Sequence, residues 1–298
     1  MDTTGGSRTT VVVATRNRAD ELVTTLDRLA DADPQPPVVV VDNASDDHTV
    51  RAAAGFRGRI RALEVLALPR NHGAVARNHG ARRATTPFVA FCDDDAWWAP
   101  GALRTAEDLF DRHPEVGLIA ARTLVGPERR DDPVNHLMLD SPLGTDPRAP
   151  GPSVLGFLAG ASVVRREPFL AAGGFSPVLH FAGEETLLAY DLAAAGWLLC
   201  YSHEVVSRHM PSLRRLPSTA RRDLELRNSV LTTLMRRPVG ACVRELAAMG
   251  GTVLRHPSRA PVLFGVAARL PRALRARRRL PDHVEDRIAL LRAGKETS

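Results

Sequence analysis

The first hundred residues alternate between short apolar runs and segments with helical spacing, and this alternation constrains the fold most strongly. The predicted strands are residues 9–14, 38–41, 63–68 and 88–92, and the predicted helices between them are residues 19–31, 46–54 and 73–84. Strands that alternate with helices are typical of a parallel sheet with covering helices, and continuous apolar strands indicate burial on both faces. The sequence therefore predicts the α/β class, with a Rossmann-like, mostly parallel central sheet flanked by helices.

The remainder of the chain is less regular. We expect a helix at residues 101–112, an irregular loop at residues 126–153 and a sharp turn at Gly173-Gly174. A further helix is expected at residues 186–195, with Gly196 near its C-cap, and a strand at residues 204–206. From Arg221 onward, the pattern predicts helical segments separated by Pro238, Pro257, Pro261, Pro271 and Pro281.

Polar side chains follow three of the predicted strands, at Thr15, Asp42 and the acidic triplet Asp93-Asp94-Asp95. Ligands of open sheets bind beyond the carboxyl ends of the strands, so we group these residues as one candidate site. Asp42 can accept from a base N–H or a ribose hydroxyl, or it can cap an Asx-type turn. The residues alone leave both interpretations of Asp42 open.

The acidic triplet is the strongest single candidate for chemistry. Three adjacent carboxylates repel one another unless a cation lies among them. Oxygen ligands suit Mg²⁺ or Mn²⁺, which usually bridge carboxylates to substrate phosphates. An acidic triplet more often forms a solvated turn, but its position after an apolar strand, level with two other polar strand ends, favours a cation site.

Other polar residues have both a functional and a structural interpretation. Arg77 can pair with phosphate or stack on a base, although most helical arginines are solvated. Glu184 and Glu185 precede an apolar helix, where the helix dipole favours acids, and the functional alternative is a general base for an acceptor hydroxyl. His209 is a structural histidine, or a metal ligand if the fold brings it near Asp95.

Seven short motifs, taken in order, resemble the family 2 glycosyltransferases of the GT-A fold, from about Thr9 to Arg237. Each motif is weak alone, and the resemblance rests on their order and spacing. The motifs are V-V-V-A-T-R-N-R (11–18), V-V-V-V-D-N-A-S-D (38–46), N-H-G-A-V-A-R-N-H-G (71–80), F-V-A-F-C-D-D-D-A-W-W-A-P (88–100), G-G-F (173–175), G-E-E (183–185) and S-R-H (207–209).

The resemblance implies a role for each matching position. The residues expected at the nucleotide are Thr15, Asn17, Asp42, Arg77, Asp93 and Asp94. The expected ligand of Mg²⁺ or Mn²⁺ is Asp95, with Asp93 and His209 as further candidates. The expected catalytic base is Glu185, with Glu184 as the alternative. The sugar and the acceptor are expected near Trp97, Gly160 and Glu184.

The reaction implied by the resemblance is inverting transfer of one sugar from a UDP- or dTDP-sugar to a hydroxyl of a glycan, a lipid-linked sugar or a secondary metabolite. The family usually has Glu-Asp where this chain has Glu-Glu, which keeps open a degenerate protein that only binds nucleotide sugars. The only glutamine is Gln35, so the Q-x-x-R-W motif of processive synthases is absent. A nucleotidyltransferase is disfavoured because Lys295 is the only lysine, and a dinucleotide oxidoreductase because no G-x-G-x-x-G follows the first strand.

Charge is divided unevenly along the chain. Residues 1–207 carry 20 arginines and 27 acidic residues, whereas residues 208–298 carry 20 basic and seven acidic residues. A basic C-terminal segment predicts contact with an anionic ligand or surface. Its interleaved apolar residues favour a helical cap on the catalytic domain, with contact to anionic lipid as the alternative. Nucleic acid is disfavoured as a partner because no aromatic residues accompany the arginines.

The expected organisation is a disordered N-terminus at residues 1–8, a GT-A catalytic domain at residues 9–237 and a basic helical extension at residues 238–298. Residues 9–100 are the expected nucleotide-binding half of the catalytic domain, and residues 101–237 its acceptor half. Three scattered cysteines, a start unlike a secretory signal and the lack of a long apolar run favour a cytoplasmic protein. Peripheral contact with the inner membrane face is the alternative.

Overall fold

The computed structural model describes residues 6–212 and 218–296. The strands in this part of the chain are β1 (Thr9–Thr15), β2 (Val38–Asp42), β3 (Leu63–Ala67), β4 (Phe88–Asp93), β5 (Ala96–Trp98), β6 (Val116–Val125), β7 (Arg130–Asp131), β8 (Ala161–Arg165) and β9 (Leu198–His209). The helices are α1 (Ala19–Ala30), α2 (Thr49–Ala54), α3 (Val75–Arg83), α4 (Ala102–Arg112), α5 (Pro133–Leu139), α6 (Arg166–Ala171), α7 (Glu184–Ala194), α8 (Ser218–Arg236), α9 (Val239–Arg255), α10 (Ala260–Arg275) and α11 (Asp282–Glu296). Short 3₁₀ helices lie at Gly55–Gly58 and Pro257–Arg259.

The strands form one sheet in the order β3-β2-β1-β4-β8-β6-β9-β5, with β7 paired to β6. The half β3-β2-β1-β4 is parallel. β2 is buried along its whole length, which explains why its sequence shows no apolar–polar alternation. The register places Thr15 beside Asp42, and Ala14 beside Asp93. The polar ends of three neighbouring strands therefore meet at one edge, and the predicted α/β class is confirmed.

The other half of the sheet is mixed. β8 runs antiparallel to both β4 and β6, whereas β9 runs parallel to β6. The strand predicted at residues 204–206 is the middle of the much longer β9. His209, the last residue of β9, pairs with Ala96 of β5, which directly follows the acidic triplet. This antiparallel pairing carries His209 to the edge where β4 ends.

Two apolar layers cover the faces of the sheet. One layer includes Phe91, Phe169 and Phe175, whose ring centroids lie 5.0, 5.6 and 5.7 Å apart. The opposite layer includes Phe88 and Phe110, which stack with their centroids 4.8 Å apart. Burial of such large rings is a main source of stability. It fixes the position of β4, which ends at the first residue of the triplet.

The C-terminal helices pack against the rest of the fold. Met235 of α8 lies in a third apolar cluster, which it shares with side chains of α9 and α10. Val284 and Ile288 of α11 are buried in the layer that contains Phe91. Arg237 forms a half-buried ion pair with Glu285, with Nε 2.8 Å from Oε2. This packing agrees with the expectation of a helical cap, and no helix of the described residues is long and apolar enough to cross a membrane.

The region expected as an irregular loop at residues 126–153 contains β7 and α5, so that expectation is wrong in part. Asp132 is the N-cap of α5, where its side chain accepts from the Val134 N–H, and Pro133 occupies the first turn. Both are helix start signals. A helix of seven residues is too short to show clear periodicity, so the sequence pattern does not distinguish α5 from a loop.

Two of the prolines that were expected to separate helices, Pro261 and Pro271, lie within a single helix, α10. Pro261 is in the first turn of α10, where its missing N–H has no intrahelical partner to lose, and Pro271 lies inside the same helix. Pro271 is exposed, so water can solvate the carbonyl that it leaves unpaired. At the N-terminus, residues 1–5 lie outside the described residues, whereas Ser7 and Arg8 hydrogen-bond to Glu107 rather than being free.

Candidate active site

Two loops that follow β1 and β2 form one wall of the site. Thr15 and Asp42 end these strands, and each is 2% exposed. Asp42 Oδ2 accepts from the Ser45 N–H at 3.0 Å, whereas Asp42 Oδ1 is buried without a hydrogen-bond partner in the described chain. Asn17 Oδ1 accepts from the Asp46 N–H at 2.8 Å, which ties the two loops together. The Asx-type turn is therefore present, and Asp42 still has one acceptor available to a ligand.

The carboxylates of the acidic triplet diverge. The first accepts from Arg77 Nη2 at 2.6 Å, and the second accepts from Arg18 Nη1 at 2.9 Å. The third lies 3.4 Å from His209 Nε2. Contacts with Arg77, Arg18 and His209 relieve the repulsion among adjacent carboxylates. Asp94 and Asp95 are buried, whereas the Asp93 side chain is 42% exposed, and the fold does bring His209 to Asp95.

The second and third carboxyl groups of the triplet differ widely in acidity. Burial raises the pKa of Asp94 to about 7, although the charge of Arg18 acts to lower it. Burial also acts to raise the pKa of Asp95, but hydrogen bonds from His209 and from the Ser212 N–H outweigh it and lower this pKa to about 2. Asp95 is therefore ionised at neutral pH, as a ligand of a cation must be.

The segment that leads into β8 forms the floor beneath the first triplet carboxylate. A Cβ atom on Gly160 would lie 2.4 Å from the Asp93 carboxyl carbon. Only glycine allows the backbone to approach a side chain this closely. The structure therefore places Gly160 against Asp93, and its expected contact with the sugar and acceptor stays a prediction.

The first turn of α7 carries the two glutamates. Glu184 is 2% exposed, and its Oε1 lies 3.9 Å from Arg77 Nη1, whereas Glu185 is half-buried. Burial, followed by the charge of Glu185, raises the pKa of Glu184 to about 8. Burial also raises the pKa of Glu185. Arg77 contacts both Glu184 and Asp93. The fold therefore brings the two glutamates that are candidates for the catalytic base close to the triplet.

Four buried polar atoms of the predicted site residues have no hydrogen-bond partner in the described chain: Thr15 Oγ1, Asp42 Oδ1, Arg77 Nε and Glu184 Oε2. Thr15 Oγ1 faces the Asp94 carboxyl group but forms no well-aligned hydrogen bond with it. An unpaired buried polar group costs about 1–3 kcal/mol, so such atoms are rare unless a ligand or water completes them. Four of the nine unpartnered buried side-chain atoms in the described residues thus belong to the predicted site residues, which favours a polar ligand there.

The donor set at Asp95 fits a divalent cation that is completed by a ligand. Asp95 and His209 offer a carboxylate oxygen and an imidazole nitrogen side by side. The described residues contain no group of three His, Cys, Asp or Glu side chains arranged to hold a metal. Mg²⁺ is commonly held by one or two carboxylates together with substrate phosphates. This edge therefore suits a cation that arrives with a diphosphate.

Trp97 lies apart from these residues. Its ring packs against Arg28, whose guanidinium carbon is 5.5 Å from the ring centroid. Arg28 is in the last turn of α1, whereas the first turn of α1 follows the loop at the site. The expected contact of Trp97 with the sugar or acceptor stays a prediction, and the structure brings it no direct support.

Two residues that help to form the site, Arg18 and Asn43, are not among the site residues predicted from the sequence. Arg18 Nη1 lies 2.9 Å from Asp94 Oδ1 and 3.5 Å from Asp95 Oδ2, so one guanidinium bridges two triplet members. Its signal was its place in the polar segment that follows β1. Asn43 donates to the Gly73 carbonyl at 3.0 Å and accepts from the His72 N–H at 2.7 Å, which ties the loop after β2 to the start of α3. No local pattern predicts that contact.

A family model described as glycosyl transferase family 2 matches residues 10–171. The pre-mycofactocin glycosyltransferase of Mycobacterium tuberculosis (strain CDC 1551 / Oshkosh) is 33% identical to this chain over 209 residues. That match covers 67% of this chain and 42% of the relative, so the chain spans less than half of the relative's length.

Solved structures resemble the fold along most of the chain. Mannosyltransferase PcManGT from Pyrobaculum calidifontis, in complex with GDP-Man and Mn²⁺, aligns with a TM-score of 0.61 and 24% identity over 99% of this chain and 81% of that one. S. aureus TarS 1-349, in complex with UDP-GlcNAc, aligns with a TM-score of 0.62 and 17% identity over 93% and 83% of the two chains. Identities this low establish likeness of fold alone.

Proposed function

The chain belongs to glycosyl transferase family 2, and from this premise we propose that it transfers one sugar from a nucleotide-sugar donor to an acceptor hydroxyl, with inversion at the anomeric carbon. One observation carries the proposal. The strand-end carboxylates, His209, Arg77 and the glutamate pair meet at one edge of the sheet, and four buried polar atoms there have no partner in the described chain. A nucleoside diphosphate sugar offers hydroxyls, base N–H groups and phosphate oxygens for such atoms.

The nucleotide is proposed to lie across the ends of β1, β2 and β4. We propose that Asp42 Oδ1, which has no partner in the described chain, accepts from the N3–H of the uracil or thymine base of a UDP or dTDP donor. Thr15 and Asn17 line the same wall, and Arg77, Asp93 and Asp94 face the ribose and phosphates. Solved neighbours carry GDP-Man in one case and UDP-GlcNAc in another, so the base is a point to be tested.

A divalent cation is proposed at Asp95 and His209, with Asp93 as a further candidate ligand. When bound, Mg²⁺ or Mn²⁺ would neutralise charge on the leaving diphosphate. The solved neighbour PcManGT contains Mn²⁺, which supports the choice of metal. Arg77 is close enough to Asp93 to orient that carboxylate whether or not a cation is present.

Glu185 is proposed as the catalytic base, with Glu184 as its buried partner. Glu185 as a residue is half-buried, whereas Glu184 is enclosed behind Arg77. The acceptor hydroxyl gives its proton to the Glu185 carboxylate as its oxygen bonds to the anomeric carbon. The bond from that carbon to the diphosphate oxygen breaks, and the nucleoside diphosphate leaves with the electron pair. The raised pKa values of both glutamates suit a base that works near neutral pH.

The direct test is a screen of nucleotide sugars with the purified chain and Mn²⁺, read by thermal shift and by release of nucleoside diphosphate. We expect one UDP- or dTDP-sugar to stabilise the protein and to be hydrolysed slowly or transferred. Stabilisation without any turnover across a broad set of acceptors would instead indicate the degenerate binding protein. Release of pyrophosphate from a nucleoside triphosphate would indicate a nucleotidyltransferase.

The extension is proposed to bring this site to an anionic membrane surface. Of the twelve large apolar side chains that the described part of the chain exposes, eight lie between Val239 and Leu290. Leu254 and Phe264 are the most exposed of these, at 83% and 74%, and they flank the turn between α9 and α10. Arg255 next to them is exposed as well. Apolar side chains beside arginines are typical of contact with anionic lipid.

A further inference from the structure

The loop that leads into α7 has an unfavourable backbone conformation. His180 and Ala182 have φ angles of 68° each, and Gly183 has a φ angle of 80°. The Phe181 N–H donates to the Leu179 carbonyl at 2.9 Å across His180, which makes a γ-turn with positive φ. Left-handed conformations are unfavourable for residues with a side chain, and such turns persist only where their surroundings hold them.

The side chain of Asn228, in α8, donates to three carbonyls of this loop. Asn228 is fully buried, and its Nδ2 donates to the carbonyls of Leu179 at 3.1 Å, Phe181 at 2.8 Å and Ala182 at 2.6 Å. One amide group therefore serves three carbonyl oxygens, of which the Leu179 carbonyl also accepts from the Phe181 N–H and from Arg227 Nη2. Buried carbonyls without donors are costly, so the hydrogen bonds offset the strain of the loop.

The orientation of the Asn228 amide is set by its neighbour. Arg227 Nε donates to Asn228 Oδ1 at 3.0 Å, and Arg227 Nη2 donates to the Leu179 carbonyl at 2.8 Å. The oxygen of the amide must face the guanidinium, so the Nδ2 group must face the loop. Arg227 is itself 8% exposed, and together the two residues form a rigid clamp.

The opposite side of the loop is fixed to α3. The Ala74 N–H donates to the His180 carbonyl at 2.6 Å, and a Cβ on Gly73 would lie 2.1 Å from that oxygen. α3 carries Arg77, which contacts Glu184. The loop is thus held between the C-terminal helices and the helix that carries a site arginine, and the two glutamates directly follow it.

We propose that Asn228 is a positioning residue, which acts through the loop 179–183 to set the placement of Glu184 and Glu185 against Arg77. The proposal rests on the catalytic role proposed for this pair. The loop ends at Gly183, so a shift of its carbonyls changes where the first turn of α7 begins. Donor contacts are spared, because the predicted nucleotide residues other than Arg77 lie on β1, β2, β4 and their loops.

The test compares full-length Asn228→Ala and Asn228→Asp with wild type, in the metal-loaded transfer assay. Aspartate keeps the size of asparagine but cannot donate to carbonyls. We expect kcat to fall about tenfold to a hundredfold in both variants, with the donor KM within about twofold of wild type. A loosened loop would admit water to the two glutamates and so lower their pKa values, which burial raises. The acidic limb of the pH–rate profile should therefore move to lower pH. The charged neighbours of the glutamates are Arg77 and Asp93.

Gln35→Ala is the matched control. The Gln35 amide also donates to two carbonyls and accepts one N–H, but it does so between α1 and β3, at the opposite end of the sheet. This variant should lose stability while kcat and the pH profile stay unchanged. If the Asn228 variants kept wild-type kcat and pH profile, or behaved like Gln35→Ala, the positioning role would be wrong.

Two further variants distinguish an error in the positioning role from a folding defect and from an error in the proposed catalytic base. If Asn228→Ala does not fold, Arg227→Lys is measured in its place, since it keeps the charge but loses the fork that reaches Asn228 and Leu179. A smaller fall in kcat with the same pH shift supports the clamp, and an unchanged profile opposes it. Glu185→Gln distinguishes the underlying function: normal turnover in that variant would overturn the proposed base, whatever Asn228 does.

Discussion

Burial controls the chemistry of single carboxyl groups in this protein. The half-buried Glu185 and the enclosed Glu184 have raised pKa values, whereas Asp95 remains acidic because His209 and the Ser212 N–H stabilise its charge. Carboxyl groups of both kinds therefore meet at one edge of the sheet. An ionised carboxylate suits a cation, and a weakly acidic one suits proton transfer from a hydroxyl.

Replacing Glu185 with glutamine removes the proposed base without a change of size. We expect transfer to fall by about 10²- to 10⁴-fold, the usual contribution of general base catalysis, while donor binding is retained. Glu167→Gln is the control, since Glu167 is an exposed acid in the first turn of α6. Turnover and isothermal calorimetry with the donor measure the two effects, and near-normal turnover of Glu185→Gln would refute the assignment.

Asp95→Asn tests the proposed cation ligand. We expect Mn²⁺-dependent affinity for the nucleoside diphosphate to fall by about 10- to 100-fold, since the amide oxygen carries no charge. Affinity without metal should change little. Asp111→Asn is the control, because Asp111 is an exposed carboxylate paired with Arg8. Equal calorimetric affinities of wild type and Asp95→Asn in Mn²⁺ would contradict a ligand role.

The raised pKa of Glu184 makes stability depend on pH. The folded protein keeps a proton on this group up to about pH 8, whereas the unfolded chain loses it near its ordinary value of 4.5. The unfolded state therefore binds fewer protons between these pH values, and this group lowers stability as pH rises. Relative to Glu184→Gln, wild type should lose stability steadily between pH 5 and pH 8.5 in urea unfolding, by up to about 4 kcal/mol. A constant difference across this range would contradict the raised pKa.

At the scale of elements, the contact between β8 and β4 shapes the floor of the site. Gly160→Ala should lower both donor affinity and kcat, by about tenfold, because its Cβ would displace the Asp93 carboxyl group. Gly156→Ala in the same segment is the control, since nothing lies within 4 Å of a Cβ there. Equal kinetics of the two variants would show that the floor tolerates the added methyl group.

At the scale of the whole molecule, the basic extension carries most of the exposed large apolar side chains of the described residues, with exposed arginines such as Arg255 among them. Wild type should sediment with vesicles that contain phosphatidylglycerol, and this binding should weaken as salt rises. The full-length double variant Leu254→Ser, Phe264→Ser should bind several-fold less, whereas Leu137→Ser, at a 72% exposed position in α5, should bind like wild type. Removing the extension would be a poor test, because α11 contributes Val284 and Ile288 to the core and their loss would destabilise the fold. No sedimentation of wild type would contradict the membrane contact.

The parts of the fold that depend on local periodicity were predicted from the sequence. Runs such as Val38–Asp42 show their burial directly, and the rule that parallel strands end together was sufficient to group Thr15, Asp42 and the acidic triplet. The short helix α5 was missed, since seven residues carry little periodic signal. The seven ordered motifs correctly indicated the family.

Only the tertiary structure decided which partners these residues have. The split of the triplet among Arg77, Arg18 and His209 depends on side chains that are 16, 76 and 114 positions away from the aspartates they contact. The Asn228 clamp reaches carbonyls 46–49 positions away, and no periodicity marks an interior helix residue for that task. Sequence patterns record the burial of a segment, because burial repeats with the period of a helix or strand. They do not record which groups meet, because packing brings together side chains whose positions share no period.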